Sequence, residues 1–359
     1  MLETLTLKIG SSPLAAGEIA GAVRDLADEQ IPVEQKADFL CALSTRGETV
    51  EEIAAFATEL RARAVDPRIP GELRAHEILD VVGTGGDRLS TFNISTCVSI
   101  LAAAAGVYVA KHGNRASTSP VGSADVADTL GLPFDVTPAQ SAELLREQRF
   151  CYFFAPKYHP AFKHIVPARK LCAQRGMSTV FNFLGPLLNP GNPSAMLLGA
   201  PRPDMCEPLA RVLQSLGVRR AMVVSGAVRD AQGAQKYLDE VSPLGPTTVA
   251  EFYQPNGLNC SELDPSMFPL QQSRLEDLRG GDRLVNARII HSILNLEDRG
   301  PKRDAVLINA AAALFVAGAA KNLLEGWEMA SETLDSGRAK GKLKDLAEAA
   351  TKLKQAGTS

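Results

Sequence analysis

The sequence carries no excess of positive charge. Its 38 Lys and Arg stand against 41 Asp and Glu, for a formal net charge of −3, which argues against a globally basic nucleic-acid binder. It has no paired cysteine pattern: Cys41, Cys97, Cys151, Cys172, Cys206 and Cys260 are scattered, with neither zinc-ligand spacing nor a disulfide framework. A reducing compartment is the natural expectation. No secretory leader is expected, because Met1-Leu2-Glu3-Thr4 opens neither a basic nor an apolar region. Its longest apolar run, residues 308–320, is broken by Asn309 and Gly318 and is too short to span a bilayer. There is no internal repeat and no low-complexity tract. A cytoplasmic protein without membrane or nucleic-acid partners is expected, and 359 residues are enough for two domains.

What is present changes character near residue 73. Residues 15–64 have helical periodicity, with Leu40, Leu43, Ile53, Phe56 and Leu60 recurring among charges. Gly47 ends one helix, and Thr49 caps the next with Glu52 at its third position. Pro67, Pro70 and Gly71 mark the exit. From Glu77 onward, strand-like and helix-like stretches alternate. Strands are predicted at 78–82, 106–110, 151–154, 196–198 and 221–224, and helices at 139–147 and 208–216. This alternation predicts a largely parallel sheet covered on both faces. Residues 160–176 are again helical and return toward the small region. Residues 264–274 are expected to be an irregular connection, and 338–354 a charged amphipathic helix. The expected division is a small all-helical domain, residues 1–72 with a returning segment at about 160–190, and a large α/β domain, residues 73–359, with a mostly parallel central sheet.

Three stretches carry chemistry. Gly83-Thr84-Gly85-Gly86-Asp87 follows an apolar strand and precedes a helix that opens with Asn93, Ser95 and Thr96. Glycines let backbone N–H groups approach a ligand closely, and a helix N-terminus favours an anion. No Gly-Lys-Ser/Thr closes the loop, and Arg88 stands where a dinucleotide fingerprint needs glycine. Asn93, Ser95 and Thr96 also serve the simpler purpose of capping the helix. Lys111-His112-Gly113-Asn114-Arg115 ends the next apolar strand, where open α/β sheets bind ligands. Asp239-Glu240 follows Tyr237-Leu238; adjacent carboxylates on extended backbone can share a hard cation with waters. A second polar group, Tyr158-His159-Pro160 with Lys163, His164 and Arg169, offers a guanidinium for a carboxylate.

With Gly122-Ser123-Ala124-Asp125, the run from Phe154 to Pro160, the run from Phe181 to Pro190, and Arg299-Gly300-Pro301-Lys302-Arg303-Asp304, these motifs resemble the anthranilate phosphoribosyltransferase family. The resemblance extends from about residue 10 to about residue 335. It implies the class III phosphoribosyltransferase fold, shared with pyrimidine nucleoside phosphorylases, and a homodimer formed through the small helical domain. It also implies a pentosyl transfer from 5-phosphoribosyl-1-pyrophosphate to anthranilate, the second step of tryptophan biosynthesis. By the same resemblance, Gly83, Gly85, Gly86, Asp87, Thr91, Asn93, Ser95, Thr96, Lys111 and Ser123 hold the phosphoribosyl pyrophosphate. Gly83, His112, Asn114, Tyr158, His159 and Arg169 line the anthranilate path. Ser95, Asp239 and Glu240 serve two Mg²⁺ ions per subunit. No general base is assigned, and His112 is at most a weak proton acceptor. Two departures from the family pattern stand out. Ser225 replaces a usual His, with extra residues at 229–236 beside the acidic pair. Pro120 and Val121 interrupt a usually hydroxyl-rich loop.

Overall fold

The computed structural model describes residues 1–10, 12–115, 121–254 and 257–356. The chain begins with four helices, α1 (Leu2–Ile9), α2 (Ala16–Ala27), α3 (Val33–Arg46) and α4 (Val50–Arg61). The α3–α4 junction forms as its residues dictate. Gly47 adopts φ 89°, the Thr49 hydroxyl accepts from the Glu52 amide at 3.2 Å, and the Glu52 carboxylate accepts from the Thr49 amide at 2.9 Å. Such a box is worth about 1 kcal/mol. Arg46 closes over Glu52 as a buried ion pair at 2.5 Å.

Eight strands form one sheet: β1 (Ile78–Gly83), β2 (Tyr108–Gly113), β3 (Phe150–Phe154), β4 (Ala195–Gly199), β5 (Arg220–Arg229), β6 (Gln235–Leu238), β7 (Thr247–Phe252) and β8 (Asn259–Leu263). The order is β3-β2-β1-β4-β5-β7-β8, with β6 pairing β5. Every pair from β3 to β5 along this order is parallel, while the β5–β6, β5–β7 and β7–β8 pairs are antiparallel. The parallel half is as expected, and the antiparallel extension is an addition. Two of its strands, β6 and β8, are polar and bury only Leu238 and Leu263, so they lack the apolar alternation that marks a strand; β7 buries Val249, Ala250 and Phe252.

Alternation in the central strands feeds two layers of core. Leu79, Val81, Leu197, Met222 and Val224 pack with the buried helices Ile94–Ala104 (α5) and Pro301–Val316 on one face. Met196, Leu198, Ala221 and Val223 pack on the other with the helix Cys206–Ser215 and the N-terminal bundle. The helix Val166–Gln174 returns to α3, where Arg175 pairs with Asp38 at 2.7 Å and Cys172 joins the cluster of Phe39, Leu40 and Leu43. No helix among the described residues is long and apolar enough to cross a membrane.

Candidate active site

The strand order places the site. β1 lies between β2, its successor in sequence, and β4, which returns from the opposite side. That reversal is a topological switch point, and a crevice opens beyond the carboxyl ends of the strands there. Gly83 ends β1 and pairs in register with Gly199, which ends β4. Both must be glycine. A Cβ on Gly83 would lie 2.6 Å from Asp239 Oδ2, and one on Gly199 would overlap the Asp239 carbonyl oxygen. The Asp239 segment thus crosses directly above the strand ends.

The glycine loop is held from outside itself. Asp239 Oδ2 accepts a hydrogen bond from the Gly85 amide at 2.6 Å and a longer one from Thr84 Oγ1 at 3.4 Å. Gly85 has φ 69°, and Arg88 and Ser90 have φ 57° without the freedom of glycine, so the loop stores backbone strain of about 1–2 kcal/mol per residue. Its far end is tied down by a bridge between Thr91 and Arg279 and by the Phe92 amide on Leu278 at 3.2 Å. Gly86 is exposed, and a Cβ there would touch Pro201.

The start of α5 departs from the capping expectation. Asn93 occupies the cap position but makes no side-chain cap. Its Oδ1 instead accepts from Asn286 Nδ2 at 2.9 Å. Ser95 Oγ accepts from Lys111 Nζ at 3.3 Å. Thr96 is fully buried, and its hydroxyl has no partner among the described residues. The side chains at this N-terminus are committed to tertiary partners or left free, rather than closing the helix on itself.

Lys111 is buried and donates to the Val81 carbonyl at 2.7 Å. Burial lowers its pKa, while Asp80 and Glu240 pull it back up. Asp80 interrupts the apolar run of β1. It accepts from Asn189 Nδ2 at 2.8 Å, and burial pushes its pKa up to about 6 against the pull of Lys111 and Asn189. Asn189 also donates to the Ala110 carbonyl at 2.7 Å. Asp80 and Asn189 therefore brace the strand that delivers Lys111 and His112. A carboxylate inside an apolar strand is a visible sequence signal, but its partner 109 positions away is not.

The acidic pair converges on the same point. Burial and the neighbouring Asp87 charge raise Asp239 to about 7. Burial, then Asp239, raise Glu240 well above the carboxylate range, while Lys111 and the Ser95 amide oppose this. Burial also raises Asp87, whose Oδ2 is buried without a hydrogen-bond donor. Three mutually repelling carboxyls and an orphaned oxygen suit a divalent cation. Among the described residues no three His, Cys, Asp or Glu side chains are close enough to hold a metal by themselves. Such a site fits Mg²⁺, which keeps waters and takes ligand oxygens alongside one or two carboxylates. The extra residues at 229–236 belong to the β5–β6 hairpin, whose tip turns at Gly233 with φ 80° and is stapled by Asp230. They project away from the carboxylates, and β6 still ends in buried Leu238 just before Asp239. Ser225 is buried in β5, with a hydroxyl that has no partner.

The second polar group divides. His112 and His159 are buried edge to face, with ring centroids 5.3 Å apart. Burial holds His112 well below its usual range and His159 at about 4, so both rings are neutral. His159 Nε2 meets the Leu188 carbonyl at 2.9 Å, whereas His112 Nε2 has no partner. Arg169 lies with its guanidinium 5.5 Å from the Phe181 ring centroid and has no ion-pair partner among the described residues. Asn114 is exposed, its Oδ1 accepting from the Arg115 amide at 2.8 Å. Ser123 opens the helix Ser123–Thr129 and shares a hydrogen bond with the Tyr152 hydroxyl at 2.7 Å. Tyr158 is 1% exposed, packs on Phe153 and donates to Ser141 Oγ at 2.8 Å, so its hydroxyl is committed to the core. Residues 117–120 of the interrupted loop lie outside the described residues, and Val121 packs against the core.

Comparison with known proteins identifies the family of the chain. Residues 75–340 match the α/β-domain model of a glycosyl transferase family, and residues 3–64 match its helical bundle domain. An anthranilate phosphoribosyltransferase of Methanobrevibacter smithii is 41% identical over 349 residues, covering 97% of this chain and 99% of that protein. The Thermus thermophilus anthranilate phosphoribosyltransferase superposes with a TM-score of 0.85 at 37% identity, covering 98% of this chain and 99% of that one. The Saccharomyces cerevisiae enzyme, solved in complex with PRPP and Mg, gives 0.83 at 30% identity over 98% of both chains. The same yeast enzyme has also been solved with 4-fluoroanthranilate, at a TM-score of 0.82 and 29% identity over 98% of both chains. The switch-point crevice, with its glycine loop, buried lysine and acidic pair, lies in a chain that belongs, over nearly its full length, to the anthranilate phosphoribosyltransferase family.

Proposed function

We propose that this protein transfers the 5-phosphoribosyl group of 5-phosphoribosyl-1-pyrophosphate to the amine of anthranilate. The C1–O bond to pyrophosphate breaks, a C1–N bond forms, and the amine gives up one proton. The observation that carries the reading is the convergence of Lys111, the α5 N-terminus and the Asp239-Glu240 pair at one switch point. Pyrophosphate leaves with a growing negative charge. Lys111 and the amides of the glycine loop and α5 meet that charge in a site that needs little reorganisation. Ser95, Asp239 and Glu240, with Asp87 beside them, would hold Mg²⁺, and two ions per subunit is our reading. When bound, Mg²⁺ neutralises the diphosphate and makes it a better leaving group.

Arg169 would take the anthranilate carboxylate, the free guanidinium matching a planar oxyanion bidentately. His112 and Asn114 would flank the amine. Neutral His112 can accept a hydrogen bond through Nε2 but is a poor resting place for a proton, so the chemistry relies on placement more than on a general base. The acceptor path would then run between the sheet domain, residues 73–359, and the helical domain, residues 1–72 with 160–190. A homodimer formed through the helical domain is part of this proposal, supported by Leu7, an apolar side chain 85% exposed on α1.

Loss of anthranilate fluorescence on adding phosphoribosyl pyrophosphate and Mg²⁺ tests the reading directly. Turnover that needs all three supports it. A folded protein without turnover that instead binds DNA in a salt-sensitive way would sink it.

A further inference from the structure

A cavity of about 270 Å³ opens at the opposite end of the sheet, lined by Arg61, Arg74, His76 and Arg219 among others, with no carboxylate in its wall. Ile78, Ser194 and Arg219 bring the amino-terminal ends of β1, β4 and β5 to it. The catalytic crevice lies at the carboxyl ends, five residues along β1 and hence roughly 17 Å away.

The cations come from three separate segments. Arg61 is the last residue of α4, Arg74 lies in the turn Gly71–Ala75 before β1, and Arg219 immediately precedes β5. Two of them have no ion-pair partner among the described residues. Arg61 donates through Nε to the Leu187 carbonyl at 2.5 Å, and its Nη2 is buried with no partner. Arg74 donates to the Gly191 and Asn192 carbonyls at 2.6 and 3.1 Å. Neither forms an ion pair among the described residues; Asp80 and Asp66 reach them only through space. Burial disfavours both charges. Among the described residues only Arg219 has a carboxylate partner, Glu77 at 3.1 Å, which lies outside the cavity wall. Guanidinium groups are kept charged at any ordinary pH and match tetrahedral oxyanions bidentately. A cavity fenced by three of them, two without a counter-ion, is short of exactly one kind of occupant, and its volume is too small for a nucleotide-sized ligand.

We infer that this cavity is a binding site for a small free oxyanion of the phosphate class, held by Arg61, Arg74 and Arg219. It is separate from the crevice where the phosphoribosyl donor is proposed to sit, and the inference does not depend on that reading. An ion here would join the end of the helical bundle to the linker and the sheet, since Arg61 belongs to one and Arg74 and Arg219 to the others.

The test is a crystal of the whole protein soaked in inorganic phosphate, with calorimetric titration of the metal-free protein in solution. The expected result is density in the cavity within hydrogen-bond reach of the three arginines, and a titration in which Arg74→Gln or Arg219→Gln removes one binding event or weakens it at least tenfold. Arg219 is the safer variant for folding, because its side chain is 54% exposed. Phosphate found only in the catalytic crevice, or titrations unchanged in both variants, would overturn the inference. So would a parallel soak with succinate in which the dicarboxylate fills the cavity and phosphate does not.

Discussion

Asp239 and Gly85 are separated by 154 positions in the sequence and by 2.6 Å in the fold, carboxylate oxygen to backbone amide. One acidic residue thereby sets the shape of the glycine loop and crowds Gly83 with its carboxylate and Gly199 with its backbone. The acidic pair and the glycine loop are one mechanical unit rather than two neighbours.

Asp239→Asn should therefore loosen the loop as well as weaken metal binding. A hydrogen bond to a charged group is worth about 2 kcal/mol, so kcat/KM for the phosphoribosyl donor should fall roughly thirtyfold or more. Raising Mg²⁺ should restore only part of it. Full recovery at high Mg²⁺ in steady-state assays would mean that the residue acts on the metal alone.

Gly199→Ala tests the close approach by itself. The new methyl group would collide with rigid backbone at Asp239, and relieving such overpacking costs roughly 3 kcal/mol. Thermal unfolding should show a clearly lowered Tm, with activity lost alongside. An unchanged Tm would show that the Asp239 segment can lift without cost.

The free hydroxyl of Thr96 separates folding from binding. It is buried and unpartnered among the described residues, so Thr96→Val should leave stability within about 1 kcal/mol of the parent or raise it. If the hydroxyl awaits a phosphate oxygen, KM for the donor should rise about tenfold while the denaturation midpoint holds. A variant with both unchanged would remove Thr96 from the donor site.

His159 gives a pH signature. Its folded pKa is about 4 because of burial, against an ordinary value near 6.5. The unfolded chain thus binds the extra proton first, and stability present above about pH 6.5 is lost as pH falls toward 4. By pH 4.5 the loss is about 2.5 kcal/mol. Burial-raised carboxyls such as Asp80 act in the opposite sense, but they cancel when His159→Gln is compared with the parent. The stability gap between the two, read from denaturant curves, should shift toward the variant by that amount between pH 7.5 and 4.5. A pH-independent gap would contradict a buried neutral ring.

Arg169→Met should raise KM for anthranilate about tenfold with little change in kcat, the mark of an interaction made equally in ground and transition states. Arg169→Lys should recover only part of it, because a lysine cannot reproduce the fork. Equal fluorescence titrations for parent and Met variant would remove the guanidinium from the acceptor site.

Sequence by itself determined the features whose cause is local. Gly47 and Thr49-Glu52 fixed a helix junction because a positive φ and a reciprocal cap involve residues a few positions apart. The apolar runs that end before Gly83 and before Lys111 named the central strands because burial on both faces selects such runs. The glycine loop, Lys111 and the acidic pair were visible as polar residues at strand ends.

Tertiary structure decided what depends on a distant partner. Strands β6 and β8 exist because β5 and β7 offer edges to pair with, not because their own residues alternate. Asn93 turns to Asn286 instead of capping α5, Asp80 is braced by Asn189, and Tyr158 is drawn inward to Ser141. The cavity around Arg61, Arg74 and Arg219 assembles from three segments that carry no common motif. A hydrogen bond or an electrostatic field depends on separation in space, and packing brings those residues close without leaving a pattern along the chain.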